Sequence, residues 1–333
     1  MPKRRPAKKR SPAAAVLLAV LCLLLLAVSR YLDSRSEPAA SVSASEAAQA
    51  DAPKLEVHFL DIGQGDSALL FCGDEALLID GGKVKNNQKL IARLKELEVA
   101  HLDAVICSHP DEDHCGGLSA VLASTRTDAF YCSVDSWHTK VFSDVTKYVE
   151  QQGISVTVPQ AGDSFAFGEA SVEFLGPVED YGDDPNEGSL VARVRYGETS
   201  FLFTGDMGFE AEDDMLAAGV DVSATVLKVA HHGSAGSSST EFLQAVHPQY
   251  AVISVGADND YGHPTEAALN RLAACGIPVY RTDLLGEIIA VSDGKTVTMT
   301  TASSEAPSAD AASQPTGSYG YVGNSSSKVV HLA

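Results

Sequence analysis

Basic residues are scarce in this 333-residue chain: 24 Lys and Arg stand against 44 Asp and Glu, for a formal net charge of −20. Eight of the 24 lie in residues 1–35 beside a single Asp, so the remaining body has a net charge of −27. Such a body has no broad cationic surface for nucleic acid. An anionic substrate would need metal ions or a few well-placed Lys or Arg. Paired cysteines are missing too. Cys22, Cys72, Cys107, Cys115, Cys132 and Cys275 form no C-x-x-C spacing, which excludes a thioredoxin-like motif and argues against a Cys-only zinc site. Five of them lie beyond the N-terminal segment, a number that full disulfide pairing cannot use up; buried free thiols are the expectation. Long apolar runs are limited to one, AAAVLLAVLCLLLLAV at 13–28.

That run follows the basic head MPKRRPAKKR. Together they predict a signal anchor or signal peptide over 1–32. The run is shorter than the about 20 residues of a spanning helix, but its flanks can extend it. The head charge places the body outside the cytoplasm, membrane-attached, or secreted if the segment is cleaved. Residues 33–53 are rich in Ala, Ser and Glu, have no aromatic residue, and read as a flexible linker. The folded domain is expected over 54–301, and a low-complexity linker with a short tail over 302–333. An apolar fraction of 45% supports a core.

Within 54–301, strands are predicted at 55–60, 67–72 and 75–80, then an amphipathic helix at 87–98 with Leu90, Ile91, Leu94 and Leu97 on one face. A buried strand, Ala104 to Cys107, leads into SHPDEDHCGG. Further helices are expected at 116–124, 138–151, 208–217, 240–246 and 265–274. Further strands are expected at 128–134, 189–196, 200–204, 225–230, 250–256, 278–281, 285–291 and 295–301, with several short ones in 156–177.

His109, Asp111, Asp113 and His114 are four potential metal ligands within six residues at the end of a buried strand. Burying such groups is costly unless they are paired or metal-bound, and imidazole with carboxylate suits zinc, manganese or iron. A single helix-capping Asp would be ordinary; four such groups are not. Asp80, Asp206, His231, His232 and His263 likewise fall at strand ends, where layered α/β proteins build sites. Taken singly, Asp80 reads equally as a turn residue and Asp206 as a helix N-cap. Asp61, Gln64 and Asp66 sit in or beside a Gly-rich turn, by itself a hairpin. Lys228 is expected to be solvated or salt-bridged, with a phosphate contact the minor alternative.

The spacing H-x-D-x-D-H resembles the metallo-β-lactamase signature H-x-H-x-D-H with Asp111 in place of the second His. HFLDIGQGDSALL, LLIDGG, SHPDEDHCGG, FTGD, LKVAHHGS and YGHP occur in that order and resemble the soluble domain of ComEC-type competence proteins. The many membrane helices of those channels are absent here, so DNA translocation is not carried over. The resemblance implies an α/β fold, a four-layer αβ/βα sandwich, with the site at one edge between two sheets. It also implies two divalent metal ions, zinc or manganese. His109 and Asp111 would serve the first, Asp113, His114 and one of His231 and His232 the second, and Asp206 both. Of the histidine pair, His231 is favoured as ligand. Asp80 would orient the cluster.

The superfamily's usual third His has no match. His138 is the only His in the interval, on a predicted helix, and Asn186 or Ser189 is the nearest polar candidate. Asp113, His231, His232 and His263 are the candidate catalytic groups. The 63–67 turn and a loop beginning at Ser234 would face substrate. The implied activity is hydrolysis of DNA or RNA phosphodiesters by a metal-activated water. The alternatives are hydrolysis of another ester, amide or lactone on the same fold, or a non-catalytic metal-stabilised binding module. No protein partner is inferred. The tail GYVGNSSSKVVHLA resembles the start of a small Cys-containing module; the bland alternative is a disordered end.

Overall fold

The computed structural model describes residues 54–301, and the backbone of two short antiparallel strands, Tyr321–Gly323 and Val330–Leu332. The expected signal segment and linker over 1–53 lie outside the described residues. Among the described residues no helix is long and apolar enough to cross a membrane.

Three antiparallel strands open the body: β1 Leu55–Phe59, β2 Ala68–Cys72 and β3 Glu75–Ile79. After the helix Asn87–Glu96 come β4 His101–Leu102, β5 Ala104–Cys107, the one-turn helix Glu112–Cys115 and the helix Leu118–Ser124. Next are β6 Arg126–Thr127, β7 Phe130–Cys132, the helix Lys140–Gln151 and β8 Val156–Thr157. The second half runs through β9 Ser164–Phe167, β10 Ala170–Gly176, β11 Val191–Tyr196 and β12 Thr199–Phe203. The helix Phe209–Ala217, β13 Val226–Lys228, the helix Thr240–Val246 and β14 Tyr250–Ile253 follow. The helix Glu266–Ala274, β15 Val279–Arg281, the short helix Thr282–Leu285, β16 Ile288–Ser292 and β17 Val297–Thr301 complete it.

The strands form an eight-stranded sheet in the order β17-β16-β1-β2-β3-β5-β7-β8 and a seven-stranded sheet in the order β15-β14-β13-β12-β11-β10-β9. Side-chain alternation builds the layers. On β3, Leu77 and Ile79 face the core between the sheets, while Ala76 and Leu78 face the helices Asn87–Glu96, Leu118–Ser124 and Lys140–Gln151. On β12, Phe201 and Phe203 enter the same central core and Leu202 packs under the helices of the second half. Both faces of each sheet are therefore apolar and covered, and the result is the four-layer αβ/βα sandwich. The parallel runs β3-β5-β7 and β12-β13-β14 place several strand C-termini at one edge.

Two local predictions differ. The strand expected from 285 starts at Ile288, because Thr282–Leu285 form a helical turn closed by Gly286 at φ 71°. His138 precedes the helix Lys140–Gln151 rather than lying on it, since Thr139 caps that helix by accepting from the Phe142 N–H.

The two Gly-Gly pairs serve a direct backbone approach. Gly117 N–H donates to Gly82 O and Gly81 N–H to His114 O. A Cβ on Gly117 would lie 2.1 Å from Gly81 O. Gly117 has an ordinary φ of −76°, so Gly117→Ala adds no backbone strain and tests the approach alone. It is expected to destabilise by about 1–3 kcal/mol through overpacking, read as a lowered urea midpoint. Unchanged or raised stability would remove close approach as the reason for these glycines.

Candidate metal centre

Asp80 follows β3 in a left-handed conformation, φ 58°, and is 2% exposed. Its Oδ1 accepts the Ser108 N–H at 2.7 Å, and its Oδ2 accepts the Ser108 hydroxyl at 2.8 Å and His114 Nδ1–H at 2.9 Å. One carboxylate thus joins the ends of β3 and β5 and turns the His114 ring so that Nε2 faces Asp206 Oδ1, 3.1 Å away. His109 is fully buried, with Nδ1 3.0 Å from Ser108 Oγ and 3.3 Å from Ser189 Oγ. Its ring centre lies 4.1 Å from that of His114.

The second sheet supplies the other side. Asp206 follows β12, and its N–H donates to Ser189 Oγ at 3.1 Å. His231 and His232 follow β13, both left-handed at φ 51° and 54°. Such backbone costs about 1–3 kcal/mol per residue and clusters at functional sites. His232 is buried, and its Nδ1 bonds Ser254 O at 2.9 Å. A carbonyl only accepts, so Nδ1 bears the proton and Nε2 faces Asp113 Oδ2 and Asp206 Oδ2, each at 3.6 Å. The adjacent His231 stands at the rim, its side chain 31% exposed and its Nε2 3.6 Å from Asp206 Oδ2. The geometry therefore favours His232, not His231, as the inner imidazole.

His109, His114 and His232 share one pattern: Nδ1 is engaged and Nε2 is buried, without a hydrogen-bond partner at His109 and His232 and facing only Asp206 Oδ1 at His114. Orphaned buried groups are costly, and a divalent cation would satisfy all four. The residues fit a metal. His114, His232, Asp113 and Asp206 make an N₂O₂ set suited to zinc or manganese. His109 and Asp111 with Asp206 make a second, poorer set. Asp111 occupies the cap position of the Glu112–Cys115 turn without a side-chain capping bond, and its carboxyl feels the charges of Asp113, His114 and Asp206. Asp206 is not a cap either: Gly208 holds that position, and Glu187 accepts the Gly208 and Ala211 N–H groups.

Single ligand-capable atoms of Asp66, His114, Asp206 and His232 also lie within 4.8 Å of one another. Asp66, however, is on the Nδ1 side of His232, at 3.1 Å, and its other oxygen meets Lys228 Nζ at 2.6 Å. Its Oδ1 has no hydrogen-bond partner, since the Nδ1 proton goes to Ser254 O, so Asp66 faces His232 as a charge on the Nδ1 side rather than adding to the Nε2 cluster. Lys228 is not solvated as one expectation had it. It shares the inter-sheet face of Val226 two residues earlier, is 3% exposed, and its ammonium is spent on Asp66 and Val229 O.

Several expected residues lie elsewhere. Asp61 pairs with Lys89 at 2.9 Å on the surface. Gln64 is buried and accepts the Gly256 N–H, so it braces the loop beyond β14. Ser189 lies behind His109, not in place of a third imidazole, and Asn186 accepts the Ser189 N–H through its carbonyl. Ser234 receives the Gly236 N–H in a loop gripped by Arg271. Cys107 and Cys115 donate to His109 O and Pro110 O and are buried thiols. Sequence reasoning missed Ser108, Ser254, Lys83 and Tyr261. Ser108 and Tyr261 had a signal, in their places within SHPDEDHCGG and YGHP.

Charge coupling is strong. Burial disfavours the His232 cation, but Asp206, Asp66 and Asp113 outweigh it and raise its pKa to about 10. His114 rises likewise, burial being overcome by Asp206 and Asp80. Burial and the neighbouring His114 lower His109 to about 3. Burial and the neighbouring His232 and His231 lower His263 to about 4. Asp206 falls well below the usual carboxylate range, burial being outweighed by His114 and His232.

Since His114 and His232 bear protons at pH 7, metal must displace them. Metal added to chelator-treated protein is expected to release protons, and affinity should rise with pH, because the surrounding carboxylates favour the charged form of both rings. Calorimetry in buffers of different ionisation enthalpy measures this; zero release would contradict the coupling. His232→Ala is also expected to lower metal affinity by more than about tenfold, and His231→Ala by less, in equilibrium dialysis. The reverse order would put His231 inside.

Comparison with known proteins agrees with this geometry. The sequence model of the Metallo-beta-lactamase superfamily matches residues 60–257. The chain is 34% identical over 283 residues to competence protein ComA of Neisseria gonorrhoeae, covering 84% of this chain and 38% of that protein. It is 30% identical over 251 residues to ComE operon protein 3 of Bacillus subtilis, covering 70% and 32%. It is 29% identical over 244 residues to recombination protein 2 of Haemophilus influenzae, covering 72% and 29%. The chain thus spans about a third of the length of these curated relatives. Among solved structures, the metallo-beta-lactamase fold protein YhfI of Bacillus subtilis superposes with a TM-score of 0.51 at 14% identity, covering 72% of this chain and all of that one; this likeness shows the fold alone. With the family match covering more than half of the chain and the Nε2 cluster at the edge of the sandwich, this protein belongs to the metallo-beta-lactamase superfamily.

Proposed function

We propose that this chain is a metal-dependent phosphodiesterase acting on DNA or RNA outside the cytoplasm, held to the membrane by residues 1–32 or released when that segment is cleaved. The observation that carries the hydrolase reading is the convergence of the buried Nε2 atoms of His114 and His232 on Asp206 and Asp113, with the buried His109 ring beside His114. Held by His114, His232, Asp113 and Asp206, a divalent metal would supply water activation near neutral pH and charge neutralisation at the reacting oxygens. The protein's own residues do the rest. Asp80, Ser108 and Ser254 hold the rings so that no reorganisation is needed when metal or substrate arrives. His231, half-exposed at the rim, is placed to pass a proton to a leaving oxygen. His263, at about 4, is neutral at pH 7 and serves as a contact or acceptor.

The nucleic-acid part of the reading rests on the resemblance to competence proteins and on the names of the relatives. The net charge of the body, −27, favours the second reading, hydrolysis of an uncharged ester, amide or lactone. A substrate panel separates them. The detergent-solubilised chain, loaded with manganese or zinc, is expected to cleave single- or double-stranded DNA, RNA or bis-p-nitrophenyl phosphate. Chelator should abolish cleavage, and Asp113→Ala should reduce it by at least the about 10–100-fold typical of disturbed metal sites. A chain that leaves all four intact is not a phosphodiesterase. Metal-dependent binding of ligand that survives Asp113→Ala without turnover would mark a binding module instead.

A further inference from the structure

Lys83 is the cation at the mouth of the cluster, and no expectation assigned it a role. It follows Asp80-Gly81-Gly82, and its side chain is only 16% exposed. Its Nζ donates to the Tyr261 hydroxyl at 3.0 Å and lies 4.0 Å from Asp113 Oδ2. Tyr261 comes from the loop beyond β14 in the opposite sheet, is 54% exposed, and stacks on His263 with ring centres 5.8 Å apart. The two residues therefore span the opening from both halves of the sandwich.

An ammonium has three donors, and Tyr261 accepts one. Asp113 is beyond hydrogen-bond range and belongs to the cluster, where His232 Nε2 lies 3.6 Å from the same Oδ2. A metal held by Asp113 would neutralise the carboxylate nearest Lys83 and leave only the more distant pull of Glu112. A mostly buried cation beside a cationic centre is unfavourable unless an anion joins them. The body is too acidic to recruit such an anion by its general field. Local placement has to do so.

We propose that Lys83 and Tyr261 form the seat for the anionic phosphoryl group of the substrate or product, and so select phosphate esters over neutral esters at this centre. This deepens the phosphodiesterase reading and rests on it. A phosphoryl oxygen would take the unused ammonium donors, while Tyr261 keeps the Lys83 side chain at the mouth.

The test is binding of inorganic phosphate to the manganese-loaded full chain by calorimetry. Lys83→Met is expected to weaken phosphate by at least about tenfold and to lower the salt dependence by about one charge. Its metal content and far-UV circular dichroism should match those of the unmodified protein. Lys83→Arg, which keeps the charge, is expected to stay within about threefold, and Tyr261→Phe to fall between the two. Phosphate affinity in Lys83→Met within about twofold of the unmodified protein overturns the seat, as does an unmodified protein that binds no phosphate. If phosphate binding depends on Lys83 while the substrate panel shows no diester cleavage, the seat stands and the phosphodiesterase reading fails.

Discussion

The Asp80 carboxylate is the point on which the site depends. It is buried, set in left-handed backbone, and accepts hydrogen bonds from Ser108 N–H, Ser108 Oγ and His114 Nδ1. These bonds tie two parallel strands at their C-terminal ends and fix the direction of one imidazole. The Gly-Gly pairs at 81–82 and 116–117 pack backbone on backbone beside it. A side chain at that contact would push the ligand loop away from Asp80. Fold and site are therefore joined at the same few atoms.

The opposite sheet repeats the logic with different groups. Ser254 O and Asp66 take the Nδ1 side of His232, and Asp66 is itself held by the buried Lys228. Ser108 and Ser189 take the Nδ1 side of His109. His114 and His232, one from each sheet, then present Nε2 to Asp206, with the His109 ring beside His114. A buried cation such as Lys228 is unfavourable unless paired. Here the pair also places a charge on the Nδ1 side of His232.

Charge distribution sets a second constraint. The acidic body repels anions at long range, yet its mouth holds Lys83 beside Asp113. Metal and one lysine would provide the local positive potential that the surface as a whole lacks. Under the proposed reading, the substrate would be gripped at one phosphoryl group and not laid along an extended basic groove.

Much of this was legible in the sequence. Alternation in LEVHF marked one strand, the continuous apolar runs in EALLI and TSFLF marked strands buried on both faces, and the Asp and His clusters marked strand ends. Local pattern suffices there, because strand alternation and the cost of burying charge act over a few residues. Only the tertiary structure decided between His231 and His232. Both have the same backbone conformation, and what separates them is Ser254 O, delivered by β14 to one ring and not the other. The same holds for Lys228, buried because Asp66 arrives from the other sheet, and for Lys83, which meets Tyr261 across the cleft. The sequence by itself determined which chemical groups stand at the strand ends. Which way each group faces depends on acceptors brought by distant strands, and that only folding could settle.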